Sequence, residues 1–231
     1  MKWLISKNVA TVTVLTTLLS VSACSSERDG DKPGAGAAEE SACSEVLGVA
    51  GMDWLRDGAG AGKLRMKSDN DLKQAREIFY ELQDWEPKDS ADPFDSILFS
   101  GAYVCGVSKE GGGFGENFTV RYEHSVFPFD RISAGEGGTR TPVNSDVTLT
   151  LRKGDDGIPS YYVYFKCAIP GARKEQKERV PVLATMRDAL TGDGRVRVHF
   201  QHLLHSAKVM AKSLDCQNKP VIPTEPPAAV K

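Results

Sequence analysis

Four cysteines spread along the chain constrain its fold more than any other feature. Cys43, Cys105, Cys167 and Cys216 are an even number, and in an exported protein of this size they are expected to form two disulfides. Three pairings are possible, and proximity in the sequence favours Cys43 with Cys105 and Cys167 with Cys216. A zinc site is the alternative, which the lack of any C-x-x-C pair disfavours.

The N-terminus predicts export. Residues 1–23 combine Lys2 and Lys7 with an uncharged, mostly apolar run from Val9 to Val21, which is typical of a secretory signal peptide. The run is shorter than the roughly 20 apolar residues that span a bilayer, and threonines dilute it. We therefore expect a signal peptide over residues 1–23, not a transmembrane anchor.

The signal ends in Val21-Ser22-Ala23-Cys24, which resembles the lipobox of bacterial lipoproteins. The resemblance implies that Cys24 becomes the mature N-terminus and carries a thioether-linked diacylglyceryl group. Two acyl chains anchor a protein stably where one chain binds only marginally. The expected location is the extracytoplasmic face of the cell membrane, with a freely secreted protein as the alternative.

The mature chain is expected to contain one domain. Residues 24–40 are small and charged and predict a flexible tether. Residues 41–218 are long enough to bury a core as a single α+β domain, and residues 219–231 form a Pro-rich tail that we expect to be solvated. Loss of Lys2 and Lys7 changes the net charge from −2 to −4, so nothing in the overall charge suggests nucleic acid as a partner.

Three helices are predicted from apolar spacing. The first covers Ser41 to Arg56 and the second covers Asn70 to Trp85, with Asp69 or Asn70 as its N-cap. The third carries apolar residues from Leu203 to Leu214 at helical intervals.

Alternating apolar residues predict two β-hairpins. The four strands are expected in Ile97 to Val107, Phe118 to Tyr122, Val147 to Leu151 and Tyr161 to Cys167. A further strand is expected at Val196 and Val198. Arg131 to Asn144 and Gly171 to Glu178 are expected to be exposed loops. The predicted fold class is α+β, with an antiparallel sheet of about four to six strands, about three helices on one face and two disulfides.

The sharpest site candidate is the run His199-x-x-His202-x-x-His205, since histidine is a common metal ligand. On a helix the three rings fan over about 120°, so they do not converge on one ion. His202 and His205 are retained as weak metal candidates, and a partly exposed helix flank is the preferred interpretation.

Other motifs predict no chemistry. Gly111 to Gly115 lacks the helix of a phosphate-binding loop, and Asp155-Asp156-Gly157 lacks most ligands of a calcium loop. No nucleophile motif is present, and neither catalytic residues nor cofactors are predicted. The four aromatic residues in Tyr161 to Phe165 are expected to pack under a helix, with an exposed binding surface as the alternative.

A further resemblance lies in three segments: Tyr164 to Gly171, Leu203 to Lys208 and Leu214 to Asn218. These segments look like those of a group of actinobacterial surface lipoproteins of unknown function. The resemblance implies a location and no activity. The leading hypothesis is a non-catalytic domain at the cell envelope that binds a protein or small ligand. The alternatives are an envelope hydrolase with scattered residues, or a metal-handling lipoprotein that uses His202 and His205.

Overall fold

The computed structural model describes residues 35–82, 101–113, 115–135, 137–154 and 156–231. The signal peptide, Cys24 and most of the predicted tether lie outside these residues. The first helix, α1, begins at Ala35 and so includes the last residues of that tether.

The described residues form four helices, one short 3-10 turn and seven strands. The helices are α1 (Ala35–Ala59), α2 (Leu72–Glu81), α3 (Lys174–Arg179) and α4 (Val196–Ser213). The strands are β1 (Leu64–Lys67), β2 (Ala102–Lys109), β3 (Asn117–His124), β4 (Thr139–Pro142), β5 (Val147–Lys153), β6 (Pro159–Lys166) and β7 (Pro181–Asp188), and the 3-10 turn covers Phe129–Arg131.

All seven strands belong to one antiparallel sheet with the order β1-β2-β3-β7-β6-β5-β4. The α+β class, the antiparallel sheet and the two disulfides were predicted correctly, but the number of strands was underestimated. The last strand in sequence, β7, lies in the middle of the sheet and joins the β2–β3 hairpin to the β5–β6 hairpin. Helices α1, α2 and α4 pack on one face of this sheet.

The missed strands are short or lie beside charged segments. The edge strands β1 and β4 have four residues each, and β4 lies within the expected loop Arg131 to Asn144. Part of the other expected loop, Gly171 to Glu178, belongs to α3. The strand expected at Val196 and Val198 is wrong, because both residues belong to the first turn of α4.

The second helix is defined by its cap. The Asp71 carboxylate accepts a hydrogen bond from the Gln74 amide at 2.7 Å, and the Gln74 side chain accepts one from the Asp71 amide at 2.9 Å. This reciprocal capping box begins the helix two residues later than predicted. Asn70, one of the two expected caps, instead accepts a hydrogen bond from the Tyr103 amide at 2.9 Å and ties the loop to β2.

Two disulfides fasten the helices to the sheet. Cys43 of α1 is bonded to Cys105 of β2 across 62 residues of sequence, and Cys167 is bonded to Cys216 across 49 residues. This is the pairing that proximity in the sequence favours. By the chain-entropy model each loop closure stabilises the fold by about 4 kcal/mol.

The C-terminal tail packs against the domain, in contrast to the solvated tail that its composition suggested. Ile222 and Val230 are buried. Arg197 of α4 donates hydrogen bonds to the Glu225 carboxylate at 3.0 Å and to the Pro227 carbonyl at 3.2 Å. Ile222 and Val230 therefore extend the core beyond residue 218.

Candidate functional site

The histidine run lies in the first half of α4, where this helix packs against α1. His199 is 1% exposed and His202 is 9% exposed, whereas His205 is exposed. The expected partly exposed helix flank is therefore wrong for the first two rings. The contact between α1 and α4, which sequence periodicity does not reveal, buries them.

His199 forms a buried pair with an acid at the end of β7. Its Nε2 lies 2.9 Å from Asp188 Oδ2, and its Nδ1 lies 2.9 Å from the Arg195 carbonyl oxygen. Both ring nitrogens thus lie within hydrogen-bonding distance of protein oxygens. The pair joins residues 11 positions apart in sequence, and no motif in the sequence marked it.

Asp188 is held by several donors besides the imidazole. Its Oδ1 accepts hydrogen bonds from the amides of Leu190 and Thr191, each at 2.9 Å, and its Oδ2 accepts one from the Thr191 hydroxyl. Burial raises the pKa of this carboxyl, but the hydrogen bonds from His199 and Thr191 outweigh burial and lower its pKa. The carboxylate therefore anchors the loop between β7 and α4.

Aromatic rings enclose the two buried histidines. The Tyr161 ring stacks on His199 with centroids 4.3 Å apart, and Trp54 meets the same imidazole edge-on at 5.1 Å. Trp54 also stacks on His202 at 4.6 Å and donates a hydrogen bond to Asp193 at 2.9 Å. These contacts join α1, β6 and α4 around one polar cluster.

The Asp188–His199 pair is arranged for structure rather than for proton transfer to a substrate. The imidazole is almost fully buried, and both of its nitrogens are engaged within the protein. Burial together with Asp188 and Asp193 raises the pKa of the stacked Tyr161 phenol to about 12. The cluster thus presents neither an accessible base nor an acidic phenol.

Two glycines of α1 make room for the histidines of α4. A Cβ at Gly48 would lie 2.8 Å from His205 Nε2, and one at Gly51 would lie 3.3 Å from His202 Nδ1. Gly48 also has φ 65° and ψ 177° and kinks α1, a conformation that suits glycine alone. A larger side chain at either glycine would therefore disturb the contact between α1 and α4.

No group of three or more histidine, cysteine or acidic side chains within the described ranges is placed to hold a metal ion. The weak candidates His202 and His205 lie against different turns of α1, beside Gly51 and Gly48 respectively. Nor does any described helix have the length and apolar character needed to cross a bilayer.

The remaining sequence candidates have structural roles. Asp156 lies in the turn between β5 and β6, where it accepts a hydrogen bond from the Ile158 amide at 3.1 Å and pairs with Arg187 at 2.5 Å. The described glycines of the Gly111 to Gly115 segment lie between β2 and β3. The fourth histidine of the chain, His124, lies outside the run and is buried 4.6 Å from the Phe79 ring.

The aromatic strand β6 divides its side chains between the two faces of the sheet. Tyr161 and Phe165 lie in the main core under the helices, as the sequence favoured. Tyr164 and Tyr162 face the other side, where Tyr164 packs with Ile132 and Leu183. The cover on that side comes from the segment around the 3-10 turn, not from a helix, and it leaves Tyr162 partly exposed.

Beyond this cover lies a surface that we call the open sheet face. It is defined by side chains that the register places on the side opposite the helices: Arg65, Lys67, Tyr103, Thr119, Arg121, Arg140, Arg152, Tyr162, Thr185 and Arg187. One cross-strand row runs through Tyr103, Arg121, Thr185, Tyr162, Thr150 and Arg140, and the next runs through Lys67, Gly106, Thr119, Arg187, Ser160 and Arg152.

Basic residues dominate the charge on this side of the sheet. The described strands place eight charged side chains there, of which seven are basic and one, Glu123, is acidic. The seven include Lys166, which lies 4.8 Å from the Phe129 ring centroid. Glu123 lies 3.2 Å from Arg121. Among the described residues, no carboxylate forms an ion pair with Arg140 or Arg152.

A tyrosine lies along the open sheet face. A Cβ on Gly106 would collide with the Tyr103 hydroxyl and ring, which shows that the ring extends over this glycine. Tyr103 is half-buried, and burial and the nearby Asp69 raise the pKa of its phenol. The ring is therefore a neutral aromatic group in the same cross-strand row as Arg121.

No protein-family model, curated protein or solved structure matches this chain significantly. The described residues form a disulfide-linked α+β domain with an internal histidine cluster and a basic, aromatic open sheet face.

Proposed function

We propose that this chain is a lipid-anchored, extracytoplasmic binding domain at the cell envelope, without catalytic activity, and that it contacts its partner through the open sheet face. The observation that carries the proposal is the concentration of arginine and half-buried tyrosine on the sheet surface that the helices leave uncovered. Arginine and tyrosine are the residue types enriched at binding surfaces.

Two further features support the proposal. Two disulfides suit an oxidising compartment outside the cytoplasm, and the lipobox-like sequence before Cys24 supplies the anchor. The hydrolase alternative gains no support from the buried Asp188–His199 pair, whose imidazole nitrogens are both occupied. The metal-handling alternative gains none from His202 and His205, which contact separate turns of α1.

The anchor is tested by expressing the full chain in an exporting bacterial host. We expect the wild type in the membrane fraction, with a diacylglyceryl mass on the Cys24 peptide. The Cys24→Ser variant should lose this mass and leave the membrane fraction, while the control variant Ser25→Ala keeps both. An unmodified wild-type N-terminus, or a Cys24→Ser protein that stays membrane-bound, would refute the anchor.

The binding role is tested with the mature protein in detergent micelles and sedimented envelope fragments from the same host. Saturable co-sedimentation is expected. A correctly anchored and folded protein that binds neither the fragments nor any envelope polymer would contradict the proposed role. The same preparation should be assayed for hydrolysis of envelope polymers, because turnover would contradict the absence of catalysis.

A further inference from the structure

From the open sheet face we infer that the ligand is a linear anionic polysaccharide, with pyranose rings packed on Tyr103 and Tyr162 and carboxylates bound by the surrounding arginines. This inference rests on the proposed function and specifies the chemistry of its partner. It follows from the charge of the surface, the spacing of the charges and the position of the aromatic rings.

The charge of the open sheet face differs from that of the whole chain. The full chain has a net charge of −2, yet Arg140 of β4, Arg152 of β5 and Arg187 of β7 all lie on this face. Asp156 pairs with Arg187 from an exposed turn at 2.5 Å. At the β1 edge, Glu110 lies 3.8 Å from Arg65 and Asp69 lies 3.6 Å from Lys67. Apart from Glu123, which lies beside Arg121 on the face itself, these acids occupy the rim and the basic groups occupy the face.

The basic groups form an extended row rather than a single pocket. Arg152 and Arg187 share a cross-strand row and are separated by β6, which places their backbones about 10 Å apart. Lys67 continues the row from β1, about 14 Å beyond Arg187. A point anion needs convergent donors, whereas charges repeated along a line complement a polymer with repeated anionic groups. The guanidinium fork also matches the geometry of a carboxylate.

The tyrosines distinguish a sugar polymer from a polyol phosphate. Tyr103 extends over Gly106, and Tyr162 is half-buried three strands away in the same row. An aromatic ring packs against the C–H face of a pyranose while its hydroxyl contacts water or sugar hydroxyls. A polyol phosphate has no ring to place there.

The inference is tested with the mature protein in micelles and alginate, a linear polymer of uronic acids, by titration calorimetry at several salt concentrations. Binding that weakens steeply with salt is expected, as for other polyanion sites. Neutral dextran, a polyol-phosphate polymer and a single-stranded oligonucleotide serve as the comparison ligands. Tighter binding of any of these three than of alginate, or no binding of alginate near 0.15 M salt, would overturn the inference.

Variants locate the site. The triple variant Arg140→Gln, Arg152→Gln, Arg187→Gln should weaken alginate binding about tenfold and reduce its salt dependence. Its control, Lys73→Gln, Lys208→Gln, Lys212→Gln, removes the same charge from exposed helix positions and should bind like the wild type. Equal loss in both variants would show an effect of net charge alone and would overturn the inference.

The aromatic contribution is tested separately by Tyr103→Leu, which keeps an apolar side chain at this position but removes the aromatic ring. Alginate binding should fall several-fold with unchanged salt dependence, and unchanged affinity would refute sugar packing at this position. Circular dichroism and thermal unfolding establish that each variant is folded. If a folded triple variant still binds envelope fragments like the wild type, the polysaccharide inference fails while the proposed binding role remains.

Discussion

Lowering the pH from 7 to 5 is expected to destabilise this fold, because two histidines are buried in environments that disfavour the charged ring. His124 is 3% exposed and His202 is 9% exposed. Burial lowers the pKa of His124 to about 4, opposed by a backbone hydrogen bond at Phe79. Burial also lowers the pKa of His202 to about 4, aided by the neighbouring His199 and His205 and opposed by Asp193.

The sign of the effect follows from proton binding. In the unfolded chain a histidine has a pKa of about 6.5, so between pH 6.5 and 4 the unfolded state binds more protons than the folded state. Stability is therefore lost as the pH falls through this window. With a folded pKa of about 4, each ring lowers the free energy of unfolding at pH 5 by about 2 kcal/mol, and together they lower it by about 4 kcal/mol.

Urea denaturation of the wild type at pH 7 and pH 5 measures this loss of stability. A histidine variant shows how much of the loss comes from one ring. His202→Gln should reduce the loss by about 2 kcal/mol. Gln201→Ala is the matched control, since Gln201 lies on the same helix, is exposed and carries no titratable group, so its loss should equal that of the wild type. Stability that does not change between pH 7 and 5 would refute the burial argument, and so would an equal effect of the two variants.

Two carboxyl groups do not disturb this comparison. Hydrogen bonds hold the pKa of Asp188 below its ordinary value, so this group titrates below the tested window. Burial raises the pKa of Glu123, although Arg121 opposes the shift. A raised carboxyl pKa adds stability as the pH falls and so acts against the histidines. This contribution is common to the wild type and both variants and cancels between them.

Two further substitutions test the packing of the helices. Gly48→Ala should lower the free energy of unfolding by about 1–3 kcal/mol. Its control, Gly60→Ala, has a similar φ of 68° and open space around it, and it should cost less because only Gly48 also contacts a histidine ring. Equal costs of the two substitutions in thermal unfolding would contradict a contribution from that contact. Asp188→Asn should cost about 3 kcal/mol in urea denaturation, because it leaves buried His199 without its carboxylate. The exposed Asp53→Asn is its control, and a comparable cost there would contradict a special role for the buried pair.

Local patterns in the sequence predict several helices and strands of the fold. Short-range features decide a capped helix such as α2 and a hairpin such as β5–β6, because neighbouring residues supply both the apolar spacing and the turn. The disulfide pairing is the one of three that keeps both loops short, with separations of 62 and 49 residues, so sequence proximity favoured it without excluding the others.

Other elements depend on contacts between distant residues. Val196 and Val198 have strand-forming side chains, yet they begin α4 because this helix packs against α1 and the sheet. Tertiary packing overrides intrinsic preference at such positions. The central strand β7 gains its place from pairing with β3 and β6, which no local pattern indicates.

The sequence by itself determined the cysteine framework, the α+β class and the likeness of the N-terminus to a lipoprotein signal, because each depends on residue type and spacing alone. Only the tertiary structure decided that His199 meets Asp188 and that Arg140, Arg152 and Arg187 share one face. Those residues come from separate elements, and their proximity arises from strand order and register. A surface built across strands has no signature in any single stretch of sequence.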